Sequence, residues 1–318
     1  MVPRYLISSE SKGDEMFRKA IVIVLAVCIV AMSGCSLIPA PEGNVIAASF
    51  YPVYIFTLNL VDGIDDMTVM CLAEQNTGCL HDYTITAKDA RIIDDADVLV
   101  INGAGMELFA EDIYESAENL TVIDSSVGVE LLCGDSHSHE GHDHEGHSHE
   151  ENSHIWLSVE NAKIQVGNIR DGLIKEYPQY KEQIEKNYSD YISRLDKLSE
   201  EIENASRYVK DAPVMSFHDA YGYLAEDMGF HIAGTVESGE GGEPSAKELA
   251  HLSDEITEHK VKALFIEPDY AGSAAEILSR ETGVKVYTLN PVTKGDAVKT
   301  AYEDIMRDNI KIIVEAVN

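Results

Sequence analysis

Positive charge is what this sequence lacks. Its 318 residues carry 24 Lys and Arg against 56 Asp and Glu, a formal net charge of -32. A surface of that sign repels phosphate backbones and anionic lipid headgroups and concentrates cations, which excludes nucleic acid as a partner. Long apolar runs are missing as well. The run from Ala20 to Met32 is shorter than the ~20 residues of a spanning helix and fits the ~7 to 15 of a secretory h-region. Catalytic signatures are also lacking: there is no GxxxxGK[ST] phosphate loop, no HExxH pair and no GxSxG turn. ATP hydrolysis, zincin-type proteolysis and serine hydrolysis therefore have no sequence support. Cysteine is sparse, at 5 residues.

What is present begins with export. Arg18 and Lys19 precede the apolar run, and Ser33, Gly34 and Cys35 end it. Residues 1–34 read as a signal peptide, with Met16 an alternative start to Met1. The ending MSGC resembles a lipoprotein signal, which makes Cys35 the lipid-bearing first residue of an exported protein held at the extracytoplasmic face or in the periplasm; an ordinary signal cut nearby is the plainer alternative. Cys28 leaves with the signal, so Cys71, Cys79 and Cys133 remain. An oxidising compartment permits disulfides, and Cys71 with Cys79 flank a short AEQNTG turn at a plausible closing distance, leaving Cys133 single. Metal binding by the two thiols is the other reading.

The remaining chain exceeds the ~100 to 200 residues usual for one domain, and 45% hydrophobic residues supply ample core. NVIAASF, MTVMCL, VLVING and TVID read as strands separated by helix-length segments, one opening with Thr86 followed by Asp89. The pattern resumes with VMSFH, HIAGTV, VKALFIE and VKVYTL, with Ser245 and Glu248 as a second capping box and Gly283 as a helix terminator. Such alternation predicts an α/β fold of two lobes, 36–177 and 211–318, each a parallel sheet flanked by helices. Between them, 178–210 predicts one rigid helix about 45 Å long. Its stripe of Ile184, Tyr188, Tyr191, Leu195, Leu198, Ile202 and Ala205 packs against both lobes. A short coiled-coil dimer is the rival, and a monomer is expected.

Residues 135–153 hold only His, Ser, Gly, Asp, Glu and Asn. They cannot bury enough apolar surface to offset their ordering entropy, so a polar loop is expected. Of the 12 histidines, His137, His139, His142, His144, His147 and His149 fall in this loop. Imidazole has an unperturbed pKa of about 6.5, so these rings are mostly neutral and able to gather metal at pH 7.

Three other histidines are better placed. His81 and His218 sit at strand-to-helix junctions on the carboxyl edges of the predicted sheets, where open α/β folds bind ligands, and His154 follows the polar loop. His231, His251 and His259 read as solvated surface. Three converging imidazoles suit Zn(II) at about 2.0–2.1 Å.

ASFYPVY, HDYTITAKDARIIDDADVLVINGAGME, HIWLSVENAK, SFHDAYGYLAEDMGF, EPSAKELAHLSDEI and VKALFIEPDY with ETGVKVYTLNP follow one another along nearly the whole chain after the signal. In that order they resemble the solute-binding component of zinc and manganese ABC importers. The resemblance implies two α/β lobes joined by a long helix, with one metal ion between them. By motif it places the metal ligands at His81, His154 and His218. Histidine at the third position, with a His-rich loop ahead of the second, resembles the zinc-type branch; manganese, or iron, is the alternative cargo. Where many relatives have aspartate after the last strand, this chain has Asn290, so the fourth ligand is water, Asn290 or Glu267, with water ranked first. The implied function is an extracytoplasmic zinc receptor, not an enzyme, that delivers Zn(II) to the membrane permease of an ABC importer. An adhesin on this scaffold and, more remotely, a zinc hydrolase are the rivals.

Overall fold

The computed structural model describes residues 43–73, 80, 83–117, 119–133, 151–236, 243–270 and 272–318. In the first lobe, strands β1 (Asn44–Ala48), β2 (Met67–Cys71), β3 (Val98–Ile101) and β4 (Thr121–Asp124) pair in parallel in the order β2-β1-β3-β4. All four residues of β3, VLVI, are buried, as expected where helices cover both faces of a sheet. The covering helices are α1 (Tyr51–Leu60), α2 (Ala87–Asp95), α3 (Glu111–Glu115) and α4 (Val159–Glu176). Helix α2 starts where the sequence predicts. Thr86 Oγ1 accepts the Asp89 N–H at 3.3 Å and the Asp89 carboxylate accepts the Thr86 N–H at 2.8 Å, satisfying two amide donors that would otherwise be orphaned.

The second lobe repeats this plan. Strands β5 (Pro213–Ser216), β6 (His231–Thr235), β7 (Ala263–Ile266) and β8 (Lys285–Thr288) follow the order β6-β5-β7-β8. Around them lie α6 (Gly222–Met228), α7 (Ala246–Glu258), α8 (Ala274–Thr282) and α9 (Ala301–Val317). Ser245 and Glu248 cap α7 reciprocally, and Gly283 ends α8 at φ 78°, a conformation that glycine adopts at little cost. The expected α/β architecture of two lobes with parallel sheets is thus present. Each sheet reverses its winding between its first and third strands, β1/β3 and β5/β7. The carboxyl ends of those strands are where such folds leave a crevice.

Helix α5 (Lys181–Val209) runs for 29 residues, about 44 Å at 1.5 Å per residue, and Pro178–Tyr180 form a tight turn leading into it. It packs on α1 and α4 of the first lobe and on α6 and α9 of the second. The predicted stripe departs from expectation at one position. Asn187 is buried where Tyr188 was expected, because its amide reaches the Leu60 and Asp62 carbonyls at the end of α1, 2.9 Å each. Tyr188 is half-buried instead, with the Arg170 guanidinium 4.1 Å above its ring.

A single hydrophobic cluster joins the lobes, including Phe56 and Trp156 from one and Val292 and Tyr302 from the other. The chain after β8 lies across α1: Tyr51 donates to the Asp296 carbonyl at 2.7 Å, Asn59 to the Lys299 carbonyl at 3.0 Å, and Lys299 pairs with Asp62 at 2.6 Å. All described residues fall within one compact unit, Glu42–Asn318. None of their helices is long and apolar enough to cross a membrane.

The polar loop ends sooner than its composition suggests. Glu151 bridges to Cys133, and Asn152 and Ser153 are buried. They are tolerated inside because they are hydrogen-bonded: the Asn102 amide donates to the Ser153 carbonyl at 3.0 Å and the Asn152 amide to the Asp219 carbonyl at 2.9 Å.

Candidate metal centre

His154 lies at the entry to the short turn Ile155–Leu157 that leads into α4. The residue is 4% exposed. Asn152 Oδ1 accepts twice from this one residue, from the His154 backbone N–H and from ring Nδ1, both at 3.0 Å. The Asn152 amide is oriented by its other end, since Nδ2 donates to the Asp219 carbonyl at 2.9 Å. An amide oxygen cannot donate, so the proton of the neutral ring resides on Nδ1 and Nε2 presents a lone pair.

His218 comes from the carboxyl end of β5 and brings its Nε2 to 3.1 Å from His154 Nε2. The rings meet edge to face, centroids 4.9 Å apart and planes at 82°. Two nitrogens each about 2.0–2.1 Å from a tetrahedral Zn(II) lie about 3.3–3.4 Å apart. The observed spacing is therefore close to one edge of such a site.

Glu267 follows β7, across the switch point from His218. Its Oε1 is 4.0 Å from His218 Nε2 and is buried without a hydrogen-bond partner among the described residues. Burial, reinforced by Asp269 and opposed by Lys294, pushes its pKa up to about 7. A buried carboxylate oxygen beside an imidazole, lacking a donor of its own, is the kind of group a cation would satisfy.

Asn290 is arranged differently. Its Oδ1 accepts the Val292 N–H at 2.9 Å and its Nδ2 donates to the Lys294 carbonyl at 3.3 Å. Both ends of the amide thus fold back on their own loop, where buried Val292 sits at φ 60°, a costly conformation for a β-branched residue. Lys294 in turn forms an ion pair with Asp269, joining the loops after β7 and β8.

Of the residues singled out from sequence, the structure brings together His154, His218 and Glu267. His81, Cys35, Cys79 and the loop residues His137, His139, His142, His144, His147 and His149 lie outside the described residues. Cys71 is buried at the end of β2 and Cys133 is exposed. Among the described residues, no group of three His, Cys, Asp or Glu is arranged to hold a metal ion. Asn152, Trp156 and Lys294 were not found by sequence reasoning. Asn152 stands two residues before a histidine, but a lone amide at that spacing carries little signal.

Two parallel α/β lobes sharing a long helix, with convergent imidazoles at the carboxyl edge of the sheets, define a two-lobed binding protein. The chain belongs to the family described as zinc-uptake complex component A, periplasmic, whose model matches residues 46–316. It is 30% identical over 318 residues to the high-affinity zinc uptake system protein ZnuA of Bacillus subtilis, covering 95% of this chain and 98% of that protein. It is also 30% identical over 293 residues to the zinc-binding protein AdcA of Streptococcus pyogenes serotype M3, covering 86% of this chain but only 56% of AdcA. The chain thus spans about half the length of that relative. Among solved structures, the SBP FpvC of Pseudomonas aeruginosa in complex with Ni2+ is similar with TM-score 0.73 and 29% identity, over 87% of this chain and 97% of that one.

Proposed function

We propose that this protein is the extracytoplasmic zinc receptor of an ABC importer, a carrier rather than an enzyme. It captures one Zn(II) with His81, His154 and His218 and delivers it to a membrane permease. The observation that carries the reading is the pair of ring nitrogens 3.1 Å apart, one of them holding its proton on the far side of the ring. The zinc uptake protein of Bacillus subtilis and the zinc-binding protein of Streptococcus pyogenes, both similar to this chain, support zinc as the cargo, and three imidazoles fit that ion better than manganese. Glu267 is the better placed of the two protein candidates for the fourth position, with water as the alternative. Anchoring through a lipid on Cys35 and a monomeric state complete the proposal.

The test is competition with a chelator of known zinc affinity. His218→Ala is expected to weaken binding by a hundredfold or more. Parent-like affinity in that variant would overturn the ligand set, and preferential loading with manganese under equal supply would overturn the cargo.

A further inference from the structure

Resting on that ligand assignment, the structure points to one residue that couples the two described histidines. We propose that Asn152 is a positioning residue: through one amide it fixes the tautomer of His154 and holds the turn that carries His218, so both ring nitrogens face the same point.

Both ends of the side chain are engaged, each on a different side of the site. The oxygen takes the His154 backbone N–H and the Nδ1 proton, which orients the ring and leaves Nε2 as the ligand atom. The Nδ2 group reaches the second lobe and donates to the carbonyl of Asp219, next in sequence to His218. Ring and turn are therefore referenced to one rigid plane. The amide is itself held from behind: Tyr223, on α6, donates to the Asn152 backbone carbonyl at 2.6 Å and accepts the Leu132 N–H at 3.0 Å. A carboxylate in this place could still accept from His154 but has no proton to give Asp219. An amide does both.

Outer-shell partners of ligating histidines typically contribute 10–100-fold in metal affinity, because a misaligned ring must be reoriented before it can bind. That contribution concerns retention of the metal more than its access. Loss of Asn152 is expected to raise the zinc dissociation rate while leaving the association rate nearly unchanged.

The experiment measures zinc association and dissociation by stopped flow on the full-length protein for the parent, Asn152→Ala, Asn152→Asp, Tyr223→Phe and His154→Ala. It also records the imidazole 15N spectrum of metal-free protein, with the His154 signal assigned by its loss in His154→Ala. Asn152→Ala should release zinc 10–100-fold faster and lose the Nδ1–H tautomer preference. Asn152→Asp should keep the tautomer yet still release zinc faster, because only the bond to Asp219 is lost. Tyr223→Phe removes the bond to the Asn152 backbone carbonyl and the one from the Leu132 N–H without touching either histidine or the Asn152 side chain, and should change release less than threefold. Equal effects of Asn152→Ala and Tyr223→Phe, or an unchanged tautomer in Asn152→Ala, would reduce Asn152 to a packing role and overturn the proposal. If His154→Ala itself binds zinc normally, the ligand assignment fails instead, which is a separate outcome.

Discussion

Trp156 donates its indole N–H to the carbonyl of Pro291 at 2.7 Å, so the residue two positions after His154 grips the loop that begins at Asn290. Its own carbonyl accepts the Tyr302 hydroxyl at 2.8 Å, and its ring centroid lies 5.2 Å from that of His154. One side chain thus links a candidate ligand of the first lobe to the wall of the second.

Two results follow from that link. The chain contains 1 tryptophan, so its emission reports on this place alone, and zinc added to metal-free protein should change it. His154→Ala should abolish the change. Replacing Trp156 by Phe leaves the Pro291 carbonyl without its donor inside the core, which costs about 1–3 kcal/mol. Urea denaturation of the metal-free variant measures that loss, and unchanged stability would show that the bond is replaced by water.

Glu267 and Asn290, the two protein candidates for the fourth position beside water, can be told apart. Asn290 has both amide ends bound within its own loop, whereas Glu267 turns toward His218 an oxygen with no hydrogen-bond partner among the described residues. Glu267→Ala should therefore weaken zinc binding by tenfold or more. Asn290→Ala should leave affinity within about threefold while lowering stability by about 1 kcal/mol. Asn290→Asp should not tighten binding, because a carboxylate loses the donor to Lys294 O. Chelator competition on the three variants ranks them, and a larger loss in Asn290→Ala than in Glu267→Ala would reverse the assignment.

Much of this was readable in the sequence because it is local. The capping boxes at Thr86/Asp89 and Ser245/Glu248 and the terminator Gly283 act within a few residues, so spacing alone reveals them. His218 was legible because the end of an apolar strand run is a recognisable place. Asn152 was not, since its role depends on Asp219, 67 residues away. The choice between Glu267 and Asn290 likewise required knowing which side chain was already bonded. Tyr188 was misplaced because the Leu60 and Asp62 carbonyls at the end of α1 draw the Asn187 amide inward, and those partners, 127 and 125 residues away, leave no mark in the local spacing.

Glu107 makes metal-free stability pH-dependent. It is buried at the β1/β3 switch point, accepting from Ser49 Oγ and the Asn102 N–H, both at 2.7 Å, and from the Gly103 N–H at 3.1 Å. Burial outweighs these donors and pushes its pKa up to about 7. In the unfolded chain it titrates near 4.5, so between these values the folded state binds more protons than the unfolded one, and stability falls as pH rises. The full change from this residue is roughly 3 kcal/mol at 1.36 kcal/mol per unit. Urea midpoints for the parent and Glu107→Gln between pH 4.5 and 7.5 test it. The variant should lose that part of the slope, and an identical slope in both would mean the group is hydrated in solution.

The boundary of the His-rich segment carries the last prediction. Cys133 and Glu151 are bridge partners, so the chain ends at 133 and 151 are already side by side, and a two-residue Asn-Gly turn can replace 134–150. That replacement removes His137, His139, His142, His144, His147 and His149 but keeps Asn152, Ser153 and His154. Zinc titration of the shortened protein should retain one tight equivalent with unchanged affinity while the weaker equivalents disappear. Extending the deletion through Ser153 should lose the tight equivalent too, because the amide holding His154 and Asp219 goes with it. If the shorter deletion already weakens the tight site more than tenfold, a loop histidine is a ligand and the division of labour proposed for these residues is wrong.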